Sequence, residues 1–225
     1  MTQESLKAAV LISGTGSNLK ALIDAVATQG LQLDIVQVIS NRAEAPGIVH
    51  ATSAGIPVSV ISHAGFPDRQ SHDAAVAEVL ERSRAELIIL AGYMRILSEE
   101  FTTRYNGRMI NLHPSLLPKY KGLDTYNRVL LSDDNETGAS IHFVTAGLDS
   151  GPVISQITIP VLPGDDASTL KQRLGPLEHV LLTATVRLFC DRDIAYRDDT
   201  VWYQGQAIEQ PIQIGPDGNL LSNQR

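Results

Sequence analysis

The sequence has a single cysteine, Cys190. No internal disulfide can brace the fold and no set of thiolates can hold a metal, a usage compatible with a reducing cytosol. Positive charge is also short. Eighteen Lys plus Arg against twenty-five Asp plus Glu leave a net charge of -7, so no global positive field gathers nucleic acid or anionic lipid, and any phosphate must be gripped locally. No apolar run reaches the roughly 18 residues of a membrane span, and Met1 to Lys7 carries no basic segment followed by an apolar stretch. Internal repeats, low-complexity tracts and a dividing linker are missing as well. With 225 residues, 43% of them hydrophobic, what remains is a chain able to bury one sizeable core.

What is present is alternation. Short runs rich in Val and Ile are followed by longer segments of helical periodicity, the pattern of strands and crossover helices in a parallel α/β sheet. Ala8 to Ile12, Leu33 to Ile39, Pro57 to Ile61 and Leu87 to Leu90 read as strands. Leu19, Leu22, Ile23 and Val26 mark the first helix. Pro46 suits the opening turn of a second helix running to about Ala54, which Gly55 stops, and a third begins near Pro67 and Asp68, burying Ala75, Val76, Val79 and Leu80. A short strand closes at Ile110. Ser140 to Val144 and Val153 to Val161 form an antiparallel pair joined through Gly147 to Gly151. Leu170, Leu174, Leu177, Leu181 and Leu188 line a last helix that Pro176 is expected to kink or interrupt. Beyond Asp191 the chain is turn-rich, with a hairpin signal near Gly205 and a polar end from Pro216.

Two places carry chemistry. The first is Gly14-Thr15-Gly16-Ser17-Asn18, between the first strand and its helix, where backbone N–H groups, a hydroxyl and an amide face a helix N-terminus. That is a site for a phosphate or carboxylate. A dinucleotide fingerprint needs a third glycine where Leu19 stands, and a nucleotide P-loop needs a Lys-Ser or Lys-Thr that does not follow, although Arg42 after the second strand keeps an NADP reading open. The plain alternative is a turn whose Ser17 caps the helix.

The second is Asn111-Leu112-His113-Pro114-Ser115-Leu116-Leu117-Pro118. Asn111 and His113 are two apart, so in extended chain they point to one side, and the prolines stiffen the loop that presents the histidine. An amide beside an imidazole is the minimum equipment for acyl transfer. The amide donates to a developing oxyanion, and a protonated imidazole stabilises that charge and delivers a proton to a leaving nitrogen. An attacking amine brings its own lone pair, so no protein nucleophile is required. A nearby carboxylate would hold His113 protonated near neutrality, and Asp149 in Leu148-Asp149-Ser150-Gly151-Pro152 is the candidate, against the plain reading of a turn aspartate. His50, His63, His72, His113, His142 and His179 show no pair at metal-ligand spacing, so no metal is expected.

Together with Ile12 to Leu19 and Ala91-Gly92-Tyr93-Met94-Arg95-Ile96-Leu97, these blocks occur in an order and spacing that resembles the phosphoribosylglycinamide formyltransferases, from about Lys7 to the helix containing Glu178. The Asn-x-His-Pro-Ser-Leu-Leu-Pro block is the specific element; the glycine turn is far less so. The resemblance implies formyl transfer from 10-formyltetrahydrofolate, as co-substrate, to the amine of 5-phosphoribosylglycinamide in purine synthesis. It implies that Gly16, Ser17 and Asn18 hold the substrate phosphate and that Glu178 contacts the glycinamide end. Met94, Arg95, Ile96 and Leu97, with Ala146, Gly147, Leu148 and Asp149, shape the folate pocket, which Asn111 also borders, and Arg69 lies near the folate's glutamate tail, where a guanidinium pairs with a carboxylate. Asn111, His113 and Asp149 match the catalytic trio, with His142 close by. Asp124 and Tyr126 depart from histidines common in that family, and Gly175-Pro176-Leu177 is also unusual.

The implied fold is a single formyltransferase domain over 1–225: a Rossmann-like, mostly parallel twisted sheet flanked by helices, with an antiparallel C-terminal part. Within it, about 1–110 form the phosphate-binding half, about 111–190 the catalytic and folate half, and 191–225 an extension. Small-molecule partners, no nucleic acid or membrane, a cytoplasmic location and a monomer or homodimer are expected. A tRNA-directed relative would need a further basic C-terminal domain, and a formyltetrahydrofolate hydrolase an additional N-terminal one; the chain's length and its early first strand favour neither.

Overall fold

The computed structural model describes residues 4–221, in two compact units. The first comprises the chain up to Asn111 together with Val144–Ala146, the second Leu112–Phe143 together with the chain from Gly147.

In the first unit β1 (Leu6–Ile12), α1 (Ser17–Thr28), β2 (Leu33–Ser40), α2 (Ile48–Ser53), β3 (Val58–Val60), α3 (Arg69–Ser83) and β4 (Leu87–Leu90) alternate as the periodicity predicts, followed by α4 (Glu99–Arg104) and β5 (Met109–His113), whose last two residues belong to the second unit. The strands are parallel, in the order β5-β4-β1-β2-β3. Residues buried on both faces explain the unbroken aliphatic runs: all of β4 and every residue of β1 but Lys7 are buried. One face packs on α3 and α4, where Val76, Leu80, Tyr93, Leu97, Phe101 and Tyr105 close over Leu11, Ile88 and Met109. Details differ from the sequence reading. In α1 it is Ala25 that is buried, while Val26 is exposed. In α3 the buried face includes His72 and Asp73, and Ala75 and Val79 are only partly covered. The pattern had given no sign of α4, whose apolar face is little more than Phe101.

In the second unit α5 (Thr125–Leu130) precedes β6 (Glu136–Phe143) and β7 (Val153–Pro160), which pair antiparallel as expected. α6 (Ala167–Cys190) packs on both. The expected break at Pro176 does not occur: α6 is continuous through it. Pro176 lies on the exposed face of the helix, and the buried Leu170, Leu174, Leu181 and Leu182 anchor it on both sides of the missing N–H. Beyond it, β8 (Ile194–Arg197), β9 (Thr200–Tyr203) and β10 (Gln206–Ala207) form a small antiparallel sheet turning at Gly205, and β11 (Ile212–Gln213) adds to β7 in parallel. The polar end from Pro216 begins with a turn closed by a bridge between Ile214 and Leu220; its residues 222–225 lie outside the described chain.

Candidate active site

The glycine turn sits at the carboxyl end of β1. Gly16 occupies the position before α1 with φ 71°, left-handed, and no side chain caps the helix, so the Ser17 capping expected on the plain reading is not what the structure has. The free N–H groups of the first turn are therefore uncommitted to a cap. The turn is held by packing instead. A Cβ on Gly16 would lie 2.6 Å from Gly47 Cα, one on Gly47 would lie 2.8 Å from Gly16 Cα, and Gly47 N donates to Gly14 O at 3.0 Å. The side-chain oxygen of Asn18 is buried with no partner among the described residues. A buried acceptor without a donor is costly unless a ligand satisfies it.

The segment Met94–Leu97 follows β4 in the same unit and is pinned at both ends by buried side chains. Ser13 Oγ accepts from Met94 N at 2.7 Å and donates to Asn41 Oδ1 at 2.6 Å. Asp73 Oδ2 accepts from Ser98 N at 2.7 Å. Ser13 is also the residue before the glycine turn, so one hydroxyl ties that turn to the Met94–Leu97 segment. Between the pins, Met94 and Ile96 are exposed, the Arg95 Nε is buried without a partner, and Leu97 enters the core. Exposed apolar side chains on a fixed backbone offer a surface for an aromatic ring. Arg69 is exposed in the first turn of α3, and Ala146 is exposed after β6. None of Ser13, Asn41, Asp73 and Gly47 was singled out from the sequence; a buried serine and a second glycine carry no spacing that separates them from ordinary turns.

Asn111 is part-buried on β5, in register with Leu90, and His113 is that strand's last residue, rather than a member of the loop that Pro114 begins. The second unit brings three predicted residues together. His113 Nδ1 lies 3.5 Å from Asp149 Oδ2, and His142 Nε2 lies 3.5 Å from Asp149 Oδ1. Asp149 adopts φ 45°, which turns its carboxylate between the two imidazoles, and Gly122 N donates to its Oδ2 at 2.8 Å. His113 Nε2 faces Tyr120 O at 3.0 Å. Gly147 and Leu148 are exposed beside this cluster.

Burial pushes the Asp149 carboxyl up, but the hydrogen bonds from His142 and Gly122 and the charges of both imidazoles outweigh it and hold the group at about 2. It is a carboxylate at any neutral pH. For His113 the balance is the reverse of the expectation. Burial pushes its pKa below the ordinary imidazole value and prevails, although the Tyr120 carbonyl and Asp149 both act to raise it. The carboxylate is where the sequence reading put it; the desolvation that overrides it is a property of packing. Glu178, half-buried on α6, accepts a hydrogen bond from Tyr126 of α5 at 3.2 Å, and burial raises its pKa.

Residues 6–186 match the formyl transferase family. Over 181 residues, 80% of the chain, the sequence is 48% identical to the trifunctional purine biosynthetic protein adenosine-3 of Drosophila melanogaster, of whose length it spans 13%. Over 199 residues it is 40% identical to the phosphoribosylglycinamide formyltransferase of Escherichia coli K12, covering 88% of this chain and 94% of that one. The phosphoribosylglycinamide formyltransferase of Coxiella burnetii superposes with a TM-score of 0.87 at 40% identity, over 96% of this chain and 98% of the other. With a match of this extent and an alignment to the bacterial enzyme that runs nearly end to end, the chain belongs to the formyl transferase family.

Proposed function

We propose that this chain transfers the formyl group of 10-formyltetrahydrofolate to the amine of 5-phosphoribosylglycinamide, giving formylglycinamide ribonucleotide and tetrahydrofolate. The observation that carries the reading is the Asp149 carboxylate set between His113 and His142, in a chain that matches formyl transferases over most of its length. The glycine turn offers backbone N–H groups to the phosphate at Gly16, Ser17 and Asn18, and the Asn18 amide rotates to suit it. Met94 and Ile96 take the pteridine, with Arg95 and Leu97 fixing that segment. Ala146, Gly147 and Leu148 complete the folate side, and Arg69 meets the glutamate tail.

The substrate nitrogen attacks the formyl carbon, a C–N bond forms, and the carbonyl oxygen becomes an oxyanion. Asn111 donates to it. His113 starts neutral, as its burial dictates, takes the proton that the attacking nitrogen sheds, and as imidazolium is stabilised by Asp149 while it supports the oxyanion. Collapse breaks the bond from carbon to N10, and the proton passes from His113 to N10. Because Nε2 is engaged by the Tyr120 carbonyl, productive transfer requires that contact to open, so the segment after His113 moves during turnover. His142 shares Asp149 and keeps it oriented. Small molecules are the partners, the location is cytoplasmic, and the unit of activity is a monomer or homodimer; among the described residues no helix is long and apolar enough to cross a membrane.

Incubation with 10-formyltetrahydrofolate and, in separate arms, glycinamide ribonucleotide, initiator tRNA or water tests the assignment. Formylated glycinamide ribonucleotide, with tetrahydrofolate in equal amount, is the expected result. Formylated tRNA, or formate release alone, would replace it with another formyl-transfer chemistry.

A further inference from the structure

A single short stretch of the second unit touches every titratable group proposed above to serve the amine substrate. Tyr120 O meets His113 Nε2, Gly122 N meets Asp149, and Tyr126, at the start of α5, donates its hydroxyl to Glu178 Oε1 at 3.2 Å. The stretch is knit internally. Arg128 donates to Lys121 O and stacks over the Tyr120 ring, and Asn127 donates to Asp124 Oδ1 at 2.6 Å, which fixes the left-handed turn at Asp124 from which Tyr126 projects.

Among the described residues, the Tyr126 hydroxyl is the one hydrogen-bond donor that Glu178 has. A carboxylate taken partly out of water with a single neutral donor retains unused acceptor capacity. We propose that Tyr126 is the positioning residue for the amine substrate: it fixes one oxygen of Glu178 and leaves the other to accept an N–H of the attacking nitrogen, aiming its lone pair at the formyl carbon. The proposal rests on the assignment of Glu178 to the glycinamide end.

Tyrosine suits this task better than histidine. Burial raises the Tyr126 phenol well above its ordinary value, so it remains a donor throughout the working pH range, whereas a histidine there would titrate between about pH 5 and 8. Tyr126 from α5 and Lys171 from α6 itself are the groups that lower the pKa of Glu178 against its burial. Among the described residues the strands packed on α6, β6, β7 and β8, place no charged or titratable group that acts on it.

Steady-state kinetics of the full chain at saturating 10-formyltetrahydrofolate test this. In Tyr126→Phe the KM for glycinamide ribonucleotide is expected to rise about tenfold, the size of a hydrogen bond to a charged group, with kcat and the folate KM changing far less. Loss of the donor also raises the Glu178 pKa, so the acid limb of kcat/KM for the amine substrate moves to higher pH. Tyr126→His is expected to restore much of the affinity and to add a titration near neutrality. An unmoved KM and acid limb in the Phe variant, or equal rises in both KM values, overturns the proposal. Glu178→Gln in the same assay separates the levels. If it leaves the amine KM unchanged in an otherwise active enzyme, the assignment of Glu178 falls and the proposal with it. If Gln raises that KM and Phe does not, the proposal alone falls.

Discussion

The first unit holds its proposed substrate segments with glycine packing, the Ser13–Asn41 pair and a single carboxylate, Asp73; the second holds its proposed groups with titratable side chains packed against one another. Gly16 and Gly47 approach to distances that no side chain permits, and Ser13, Asn41 and Asp73 fasten the two segments at 2.6 to 2.7 Å. Across His113, Asp149 and Glu178, by contrast, each group's protonation is set by its neighbours and by burial. Perturbing the two kinds of support should leave different kinetic signatures.

The largest expected effect is His113→Ala. Loss of an oxyanion-stabilising and proton-carrying group reduces kcat by about 100- to 1,000-fold, while the KM values, which rest mainly on other residues, change little. Near-normal turnover in single-turnover and steady-state assays would remove His113 from the chemistry and erase the contrast between the units.

The complementary perturbation is Gly47→Ala. Its new methyl would meet Gly16 Cα at 2.8 Å and Ile12 Cδ1 at 2.9 Å, so the glycine turn must shift. Overpacking of this kind costs about 1–3 kcal/mol of stability. The expected kinetic result is a KM for glycinamide ribonucleotide raised by tenfold or more, with kcat at saturation largely kept. A fall in kcat at unchanged KM would show that the turn does more than bind.

This division also explains what could be read from the sequence. The parallel strands of the first unit, the glycine turn and the pairing of β6 with β7 follow from aliphatic runs and turn residues, which are local signals. The pairing of Asp149 with His113 was legible because an imidazole serving acyl transfer calls for a carboxylate beside it. Four things were not. α4 and α5 are six residues each, too short for a periodic signal. Continuity of α6 through Pro176 depends on burial that the helix shares with β6 and β7. The sign of the His113 shift depends on how much water packing removes, which no spacing encodes, and the bond from Tyr126 to Glu178 joins residues 52 apart.

The smallest expected effect bears most directly on that sign. In the folded protein the His113 imidazole should titrate below its ordinary value of 6.5, and in Asp149→Asn, which removes a charge that raises it, lower still. The Hε1 chemical shift of His113 followed by NMR against pH reads this directly. Linkage gives an independent check. A histidine kept neutral by the fold binds its proton more readily in the unfolded chain, so its contribution to stability is lost as pH falls below 6.5. Asp149, held at about 2 against 3.8, contributes stability that is intact above 3.8 and is lost as pH falls toward 2. Asp149→Asn should therefore remove the second loss from the denaturation profile and leave the first, displaced to slightly lower pH at its folded end. A His113 midpoint well above 6.5 in the unaltered protein would mean that burial is not the dominant influence, and that the histidine enters the reaction already protonated.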